Sequence, residues 1–135
     1  MMVAGIGCRK GVETEAVLAG IDSALDRHRL DRTDLDALAT VPLKHDEPAL
    51  RAAARHLGLQ LVVVTETQLK AAEARTLTRS TASLAHAGTP SAAEAAALAA
   101  AGPESLLLGP RIVAGAVTCA FAADGVRPQI GNEAP

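Results

Sequence analysis

The chain has 135 residues, enough for one domain with its own core, and 49% of them are apolar. It has no Trp or Tyr, one Phe and a net charge of −2, so it lacks the aromatic rings and the basic excess that bind nucleic acids. Cys8 and Cys119 form no C-x-x-C pair, and no apolar run approaches the roughly 20 residues of a membrane span. The N-terminus lacks the features of a signal peptide. We therefore expect a cytoplasmic protein with reduced thiols, and no nucleic-acid or membrane partner.

The first predicted unit is a strand, a loop and a helix, over residues 2–7, 8–12 and 13–29. The loop carries two adjacent cations, Arg9 and Lys10, at the positive end of the helix. Two cations there oppose the helix dipole by roughly 0.3–1 kcal/mol each unless an anion compensates them. The backbone N–H groups of a glycine loop also suit an anion. We predict an anion site formed by Gly5, Gly7, Cys8, Arg9, Lys10 and Gly11.

Further strands and helices alternate along the chain. Thr33 and Asp36 have capping-box spacing at a short helical turn, and a strand or a loop is predicted near residues 83–85. The other predicted strands are 38–41, 59–64, 106–108 and 112–122, and the other predicted helices are 48–57, 66–74 and 91–101.

Three of these helices begin with a capping signal, in which a polar side chain accepts a hydrogen bond from the first turn. Such a cap leaves other N–H groups of that turn free for an anion. The predicted caps are Asp46 or Glu47 before Pro48, Thr65 with Gln68, and Ser91 with Glu94.

Alternating strands and helices predict one α/β domain over residues 1–123, a three-layer α/β/α sandwich with a largely parallel, mixed sheet. The last two strands are close enough to form a hairpin, so one strand is expected to be antiparallel. Residues 124–135 are predicted to be a flexible tail. Ligands of such sheets bind beyond the carboxyl ends of the strands, which points to residues 7–11, 40–47 and 65–68.

Several interpretations of these motifs remain open. The glycines resemble a dinucleotide fingerprint, but the third glycine is one residue late and no acid marks the end of the second strand; a tight turn also explains them. The run from Lys44 to Glu47 is a solvated charged loop, or a lysine that faces an anion beside a capping acid. Neighbouring side chains in an extended loop point to alternate sides and do not converge on one point, so we expect no metal site there. We also expect no cofactor. Cys8 is a small residue in a crowded turn, or a nucleophile whose pKa the helix N-terminus lowers.

Four motifs together resemble a known family, in which they occur in the same order. The resemblance is to the CobE family, whose domain also forms the C-terminal part of the cobalamin-biosynthesis protein CbiG, and it covers residues 3–122. The motifs are Gly5-Ile-Gly-Cys-Arg-Lys-Gly11, Leu38-Ala-Thr40 with Lys44-His-Asp-Glu-Pro48, Ser91-Ala-Ala-Glu-Ala-Ala-Ala-Leu98, and Val117-Thr-Cys-Ala120.

The resemblance implies a role in making the corrin ring, with an anionic corrinoid such as hydrogenobyrinic acid as the ligand. Corrin intermediates carry many carboxylates around an apolar ring, and these would meet Arg9, Lys10, Lys44 and Arg111. The implied ligand-binding set is Gly5, Gly7, Cys8, Arg9, Lys10, Gly11, Thr40, Lys44, Asp46, Glu47, Ser91 and Glu94.

Two alternatives accompany this expectation. CbiG-type proteins open a lactone on a precorrin and release acetaldehyde, and an enzyme of that kind would use Cys8, Lys44 or Glu47 as acid, base or nucleophile. The other alternative is an accessory module for a neighbouring corrin-biosynthesis enzyme.

Overall fold

A computed structural model describes residues 1–42, 47–78 and 91–124. The predicted strand or loop near residues 83–85 and the predicted tail from residue 125 onward lie outside these ranges, while Asp124 belongs to the last strand. The elements are β1 (Met2–Cys8), α1 (Thr14–Arg27), β2 (Ala37–Thr40), α2 (Pro48–Leu57), β3 (Gln60–Val63), α3 (Glu66–Ala72), α4 (Ala92–Ala101), β4 (Ser105–Leu107), β5 (Ile112–Ala114) and β6 (Val117–Asp124), with 3-10 turns at Arg32–Asp34 and Glu73–Arg75.

The strands form one mixed sheet. Its order is β3-β2-β1-β6-β4, and β5 also pairs with β6. β1, β2 and β3 are parallel, whereas β6 is antiparallel to β1, β4 and β5. Among the described strands, β6 therefore runs against the other five, which confirms the mixed sheet with one antiparallel strand. The predicted strand 112–122 is divided into β5 and β6, and these two form the hairpin, while β4 pairs with the later part of β6.

Helices cover both faces of the sheet, which confirms the three-layer architecture. α1 and α2 pack on one face, in a core that includes Ile6, Ile21, Leu50 and Phe121. α3 and α4 pack on the other face, over a smaller core that contains Val3. Alternate residues of a strand serve alternate faces, so these central strands are apolar on both sides.

α4 packs unusually close to the sheet because its sequence is almost all alanine. A Cβ atom on Gly5 would collide with Ala93 O and would lie 2.7 Å from Ala97 N. Gly5 therefore lets the backbone of β1 approach the backbone of α4. Only glycine fits at this contact, because a Cβ atom would meet backbone atoms of α4, and these can move only if the whole helix moves.

The helix that follows β3 begins as predicted. Thr65 Oγ1 accepts a hydrogen bond from Gln68 N at 3.1 Å, and Gln68 Oε1 accepts one from Thr65 N at 2.9 Å. This reciprocal pair is a capping box. α3 ends at Ala72, and the 3-10 turn Glu73–Arg75 occupies the remainder of the predicted helix.

The capping box predicted for Thr33 and Asp36 is wrong. The residues that form it lie two positions earlier, at Asp31 and Asp34. The side chain of Asp36 instead accepts a hydrogen bond from Met2 N at 2.6 Å and so holds the beginning of β1. Two residue pairs in this segment have the spacing of a capping box, Asp31 with Asp34 and Thr33 with Asp36. Because Asp36 bonds to the main chain of β1, the pair Asp31 and Asp34 caps the turn.

Candidate anion-binding site

The cationic turn, residues 9–12, follows the carboxyl end of β1 and is held by the main chain. Arg9 N donates to Ala116 O at 3.2 Å, so the pairing of β1 with β6 continues one residue beyond the strand. Val12 N donates to Arg9 O at 3.2 Å and closes the turn, in which Gly11 has a φ of +78°. Arg9 and Lys10 are both exposed. The turn thus presents two cations on a fixed backbone.

A buried carboxylate joins this turn to the beginning of α2. Glu47 is 3% exposed, and its Oε2 accepts a hydrogen bond from Gly11 N at 3.4 Å. Glu47 is also the N-cap residue of α2, although its side chain makes no capping hydrogen bond. The structure therefore brings together Gly11 and Glu47, which lie far apart in sequence. The other predicted residues of this loop, Lys44 and Asp46, lie outside the described residues.

Thr40 lies at the carboxyl end of β2, but its hydroxyl is used inside the protein. The side chain is 2% exposed, and its Oγ1 donates to Ile6 O at 2.9 Å. This bond ties the end of β2 to β1. Thr40 supports the edge of the sheet beneath the cationic turn.

Of the two interpretations of Cys8, the surroundings of the thiol favour the small residue in a crowded turn. Burial, followed by the negative charge of Glu47, raises the pKa of the Cys8 thiol from 9.0 to about 11. The thiol packs against the core that lies beneath α1 and α2. A thiol with this pKa is neutral at physiological pH, which disfavours the nucleophile interpretation.

Gly7 differs from Gly5 in its surroundings. It is partly exposed, and a Cβ atom placed on it would have Thr118 Cβ as its nearest described neighbour, at 3.9 Å. None of the described helices packs against it as α4 packs against Gly5. Gly7 therefore leaves a depression on the face of the sheet that carries α4.

Glu94 does not form the predicted capping box with Ser91. Its fully buried carboxylate accepts four hydrogen bonds, from Leu77 N (2.7 Å), Thr78 N (2.9 Å), Thr78 Oγ1 (2.6 Å) and Arg111 N (2.9 Å). Burial alone would raise the pKa of Glu94, but the hydrogen bonds from Thr78, Arg111 and Leu77 outweigh it and hold the pKa below its ordinary value. Glu94 thus fastens two distant segments to the first turn of α4. No local pattern marks Thr78 or Arg111 as its partners.

Ser91 lies at the beginning of α4 and is fully buried. Its side chain makes no capping hydrogen bond, and its Oγ has no hydrogen-bond partner among the described residues. The predicted role of Ser91 as a cap is therefore wrong, because Glu94 turns away to the segments at residues 77–78 and 111.

The beginnings of α1 and α2 border an open groove of about 520 Å³. Val12, Pro48 and Arg55 are among its lining residues. Glu13 and Glu15 also line it, and they bring negative charge to the first turn of α1. These acids compensate the helix dipole in part, so the cations of the turn oppose it less than the loop sequence alone predicts.

The cations of the turn have no acidic partner in the described part of the chain. The ion pairs found there join the N-terminal amino group to Asp124 and Arg32 to Asp22. The same ranges contain no group of three or more His, Cys, Asp or Glu side chains that could hold a metal ion. No described helix is long and apolar enough to cross a membrane. Among the described residues, no acidic side chain therefore competes with an external anion for Arg9 and Lys10.

Comparisons with known proteins agree on one family. The family described as "Cobalamin synthesis G C-terminus" matches residues 2–122. Protein CobE from Sinorhizobium sp. is 32% identical over 121 residues, which are 90% of this chain and 79% of that protein.

Solved structures give the same result. A crystal structure of CobE, a protein from the cobalamin (vitamin B12) biosynthetic pathway, superimposes with a TM-score of 0.86 at 36% identity, over 90% of this chain and 89% of that one. The cobalamin biosynthesis protein chiG from Agrobacterium tumefaciens str. C58 has a TM-score of 0.76 at 47% identity, over 93% and 99% of the two chains. A cobalamin biosynthesis protein G homolog from Sulfolobus solfataricus shares the fold, with a TM-score of 0.64 at 23% identity over 90% of this chain and 36% of that one. This chain belongs to the CobE / CbiG C-terminal family of cobalamin biosynthesis proteins.

Proposed function

We propose that this chain binds an anionic corrin intermediate, such as hydrogenobyrinic acid, at the edge of the sheet that carries Arg9 and Lys10. The observation that carries the proposal is the cationic turn: two exposed cations without acidic partners in the described residues, on a backbone that Ala116 and Glu47 hold from two sides. Family membership supports the class of ligand, because corrin intermediates are polycarboxylates.

Fixing the turn matters for affinity because ordering a flexible loop on binding costs free energy. Gly11 already adopts a left-handed backbone, and Arg9 N already donates to Ala116 O. Only the two long side chains would become ordered when they meet carboxylates. Each charge-assisted hydrogen bond contributes on the order of 1.5–3 kcal/mol, and added salt weakens an exposed pair.

A titration of the purified protein with hydrogenobyrinic acid, followed by its visible spectrum, tests the proposal. We expect a spectral change and co-elution at micromolar concentrations. The double variant Arg9→Ala, Lys10→Ala should weaken binding about tenfold or more, by the loss of at least one charge-assisted bond. Affinity for the fully esterified ring should be low, since it has no carboxylates.

The matched control is the double variant Arg27→Ala, Lys70→Ala. Both residues are exposed helix cations, in α1 and α3, so the control changes the net charge by the same amount away from the turn. The control should bind as the unaltered chain does. Equal loss in both double variants would mean that only net charge matters, and undiminished binding by Arg9→Ala, Lys10→Ala would rule out the proposed site.

The alternative function is a hydrolase that opens the lactone of a precorrin. Buried Glu47 supplies the observation in its favour, since a carboxylate beside Cys8 at the carboxyl edge of β1 has the chemistry of a general base. This function predicts acetaldehyde release from a lactone-bearing precorrin, abolished by Glu47→Gln. Binding of the precorrin without release of acetaldehyde would favour the proposed binding function over the hydrolase.

A further inference from the structure

One row of residues crosses three strands next to the cationic turn. Gly7 of β1 pairs with Thr118 of β6, and Thr118 pairs with Val113 of β5. Residues paired across neighbouring strands lie side by side and project to the same face. Gly7 is two residues from Gly5, which packs against α4, so the row lies on the face that carries α4.

None of the residues in 1–42, 47–78 and 91–124 covers this row. Val113 is 60% exposed, and both Gly7 and Thr118 are partly exposed. α4 contacts β1 at Gly5, one row below. The row is therefore a shallow, mostly apolar floor beside the first turn of α4.

Cations lie at both ends of this floor. Arg9 follows Gly7 by two residues, and its main chain still pairs with β6 through Ala116, so strand alternation places it on the face of Gly7. At the other end Arg111 directly precedes β5, on the side of α4, where its N–H donates to Glu94. Arg111 is partly exposed and forms no ion pair with a described residue.

Charge complementarity selects the occupant of such a surface. An apolar floor with arginines at its two ends matches a ring that is apolar in the middle and bears carboxylates on its rim. A protein partner or a second copy of this chain would need a larger apolar patch. Leu106 and Leu108 are also exposed at this edge, but they flank Leu107, which packs in the core beneath α4, so strand alternation places both on the opposite face.

We propose that the row Gly7, Thr118 and Val113 is the surface on which the corrin ring lies, with carboxylates on Arg9 and Arg111. This inference rests on the proposed function and specifies where the ring lies in that site. Glu94 is a positioning residue in it: its carboxylate fixes the main chain of Arg111 and does not contact the ligand.

The experiment compares two charge insertions on the same edge of the sheet. Val113→Glu puts a negative charge on the floor, whereas Leu106→Glu puts the same charge on the opposite face, at a side chain that is 68% exposed. In a titration with hydrogenobyrinic acid we expect Val113→Glu to weaken binding at least tenfold and Leu106→Glu to leave it unchanged. Arg111→Ala should weaken binding about tenfold and Arg111→Lys less, with Arg27→Ala as the control.

The outcomes separate this inference from the proposed function. If the unaltered chain does not bind hydrogenobyrinic acid, the proposed function fails and the inference fails with it. If Arg9→Ala, Lys10→Ala weakens binding but Val113→Glu does not, the ring lies elsewhere at the edge and only this inference is overturned. If Val113→Glu changes the oligomeric state in gel filtration without changing affinity, the row is an interface between copies, which also overturns it.

Discussion

Replacement of Glu94 by glutamine isolates the charge and the acceptor pattern of this buried side chain, since the two residues have the same shape. Oε1 accepts from Leu77 N and Thr78 N, and Oε2 accepts from Thr78 Oγ1 and Arg111 N. An amide keeps one oxygen and replaces the other with an NH2 group, which only donates. In the better orientation the oxygen stays with Leu77 and Thr78, and the NH2 group faces Arg111 N–H.

The expected cost follows from that geometry. The hydroxyl of Thr78 can rotate and accept, but the N–H of Arg111 loses its acceptor and faces another donor. A buried donor without an acceptor costs about 1–3 kcal/mol, and the remaining bonds lose the strength that a charged acceptor gives them. We expect Glu94→Gln to lower the free energy of unfolding by about 2–4 kcal/mol. Thr78→Val, which removes only the hydroxyl bond to the carboxylate, should cost about 1.5–3 kcal/mol.

The difference between the parent chain and Glu94→Gln should depend on pH. The pKa of Glu94 in the folded protein lies below its ordinary value of 4.5, so its stabilising contribution is fully present above pH 4.5 and is lost as the pH falls through the folded pKa. Glutamine does not titrate. The stability gap should therefore be largest at pH 7 and smaller at pH 4.

Urea unfolding of both proteins at pH 7 and pH 4 provides the measurement. A difference in the free energy of unfolding of less than about 0.5 kcal/mol at pH 7 would contradict the four hydrogen bonds to Glu94, because no buried donor would then have lost its acceptor. A gap of the same size at both values would show that the charge of Glu94 contributes nothing. Thr65→Ala is the internal control: its capping hydrogen bond to Gln68 N involves no titrating group, so its effect should be the same at both pH values.

Three further predictions concern other parts of the fold. Gly5→Ala should cost about 3 kcal/mol or more in thermal or urea unfolding, because its Cβ would meet the backbone of α4, whereas Gly7→Ala should be nearly neutral; equal effects would refute the close contact. With a pKa of about 11 in place of 9.0, Cys8 should react with iodoacetamide at pH 8 about 100-fold more slowly than an ordinary thiol, and Glu47→Gln should speed it; a fast reaction in the parent chain would restore the nucleophile interpretation. Thr65→Ala should lower stability by about 1 kcal/mol through loss of the α3 cap, and a cost near zero would mean that Gln68 alone suffices.

Local patterns predicted most of the fold. Strand and helix positions, the capping box of Thr65 and the three layers could be predicted because each depends on residues that are close in sequence or on the periodicity of apolar side chains. The wrong predictions of capping boxes concern side chains that could accept hydrogen bonds either locally or from a distant segment. Asp36 and Glu94 both have capping-box spacing, and both bind main-chain N–H groups of distant segments instead.

The same distinction between local and distant contacts applies to the candidate site. Sequence alone determined that Arg9 and Lys10 stand in a glycine turn between a strand and a helix, and the order of motifs determined the family. Tertiary structure decided what surrounds that turn: Glu47 beside Gly11, the neutral thiol of Cys8, and the row that aligns Gly7 with Val113. The physical reason is strand register. Pairing between β1, β6 and β5 sets which residues share a face, and the pairing of β1 with β6 joins residues more than 100 positions apart in the chain, such as Gly7 and Thr118.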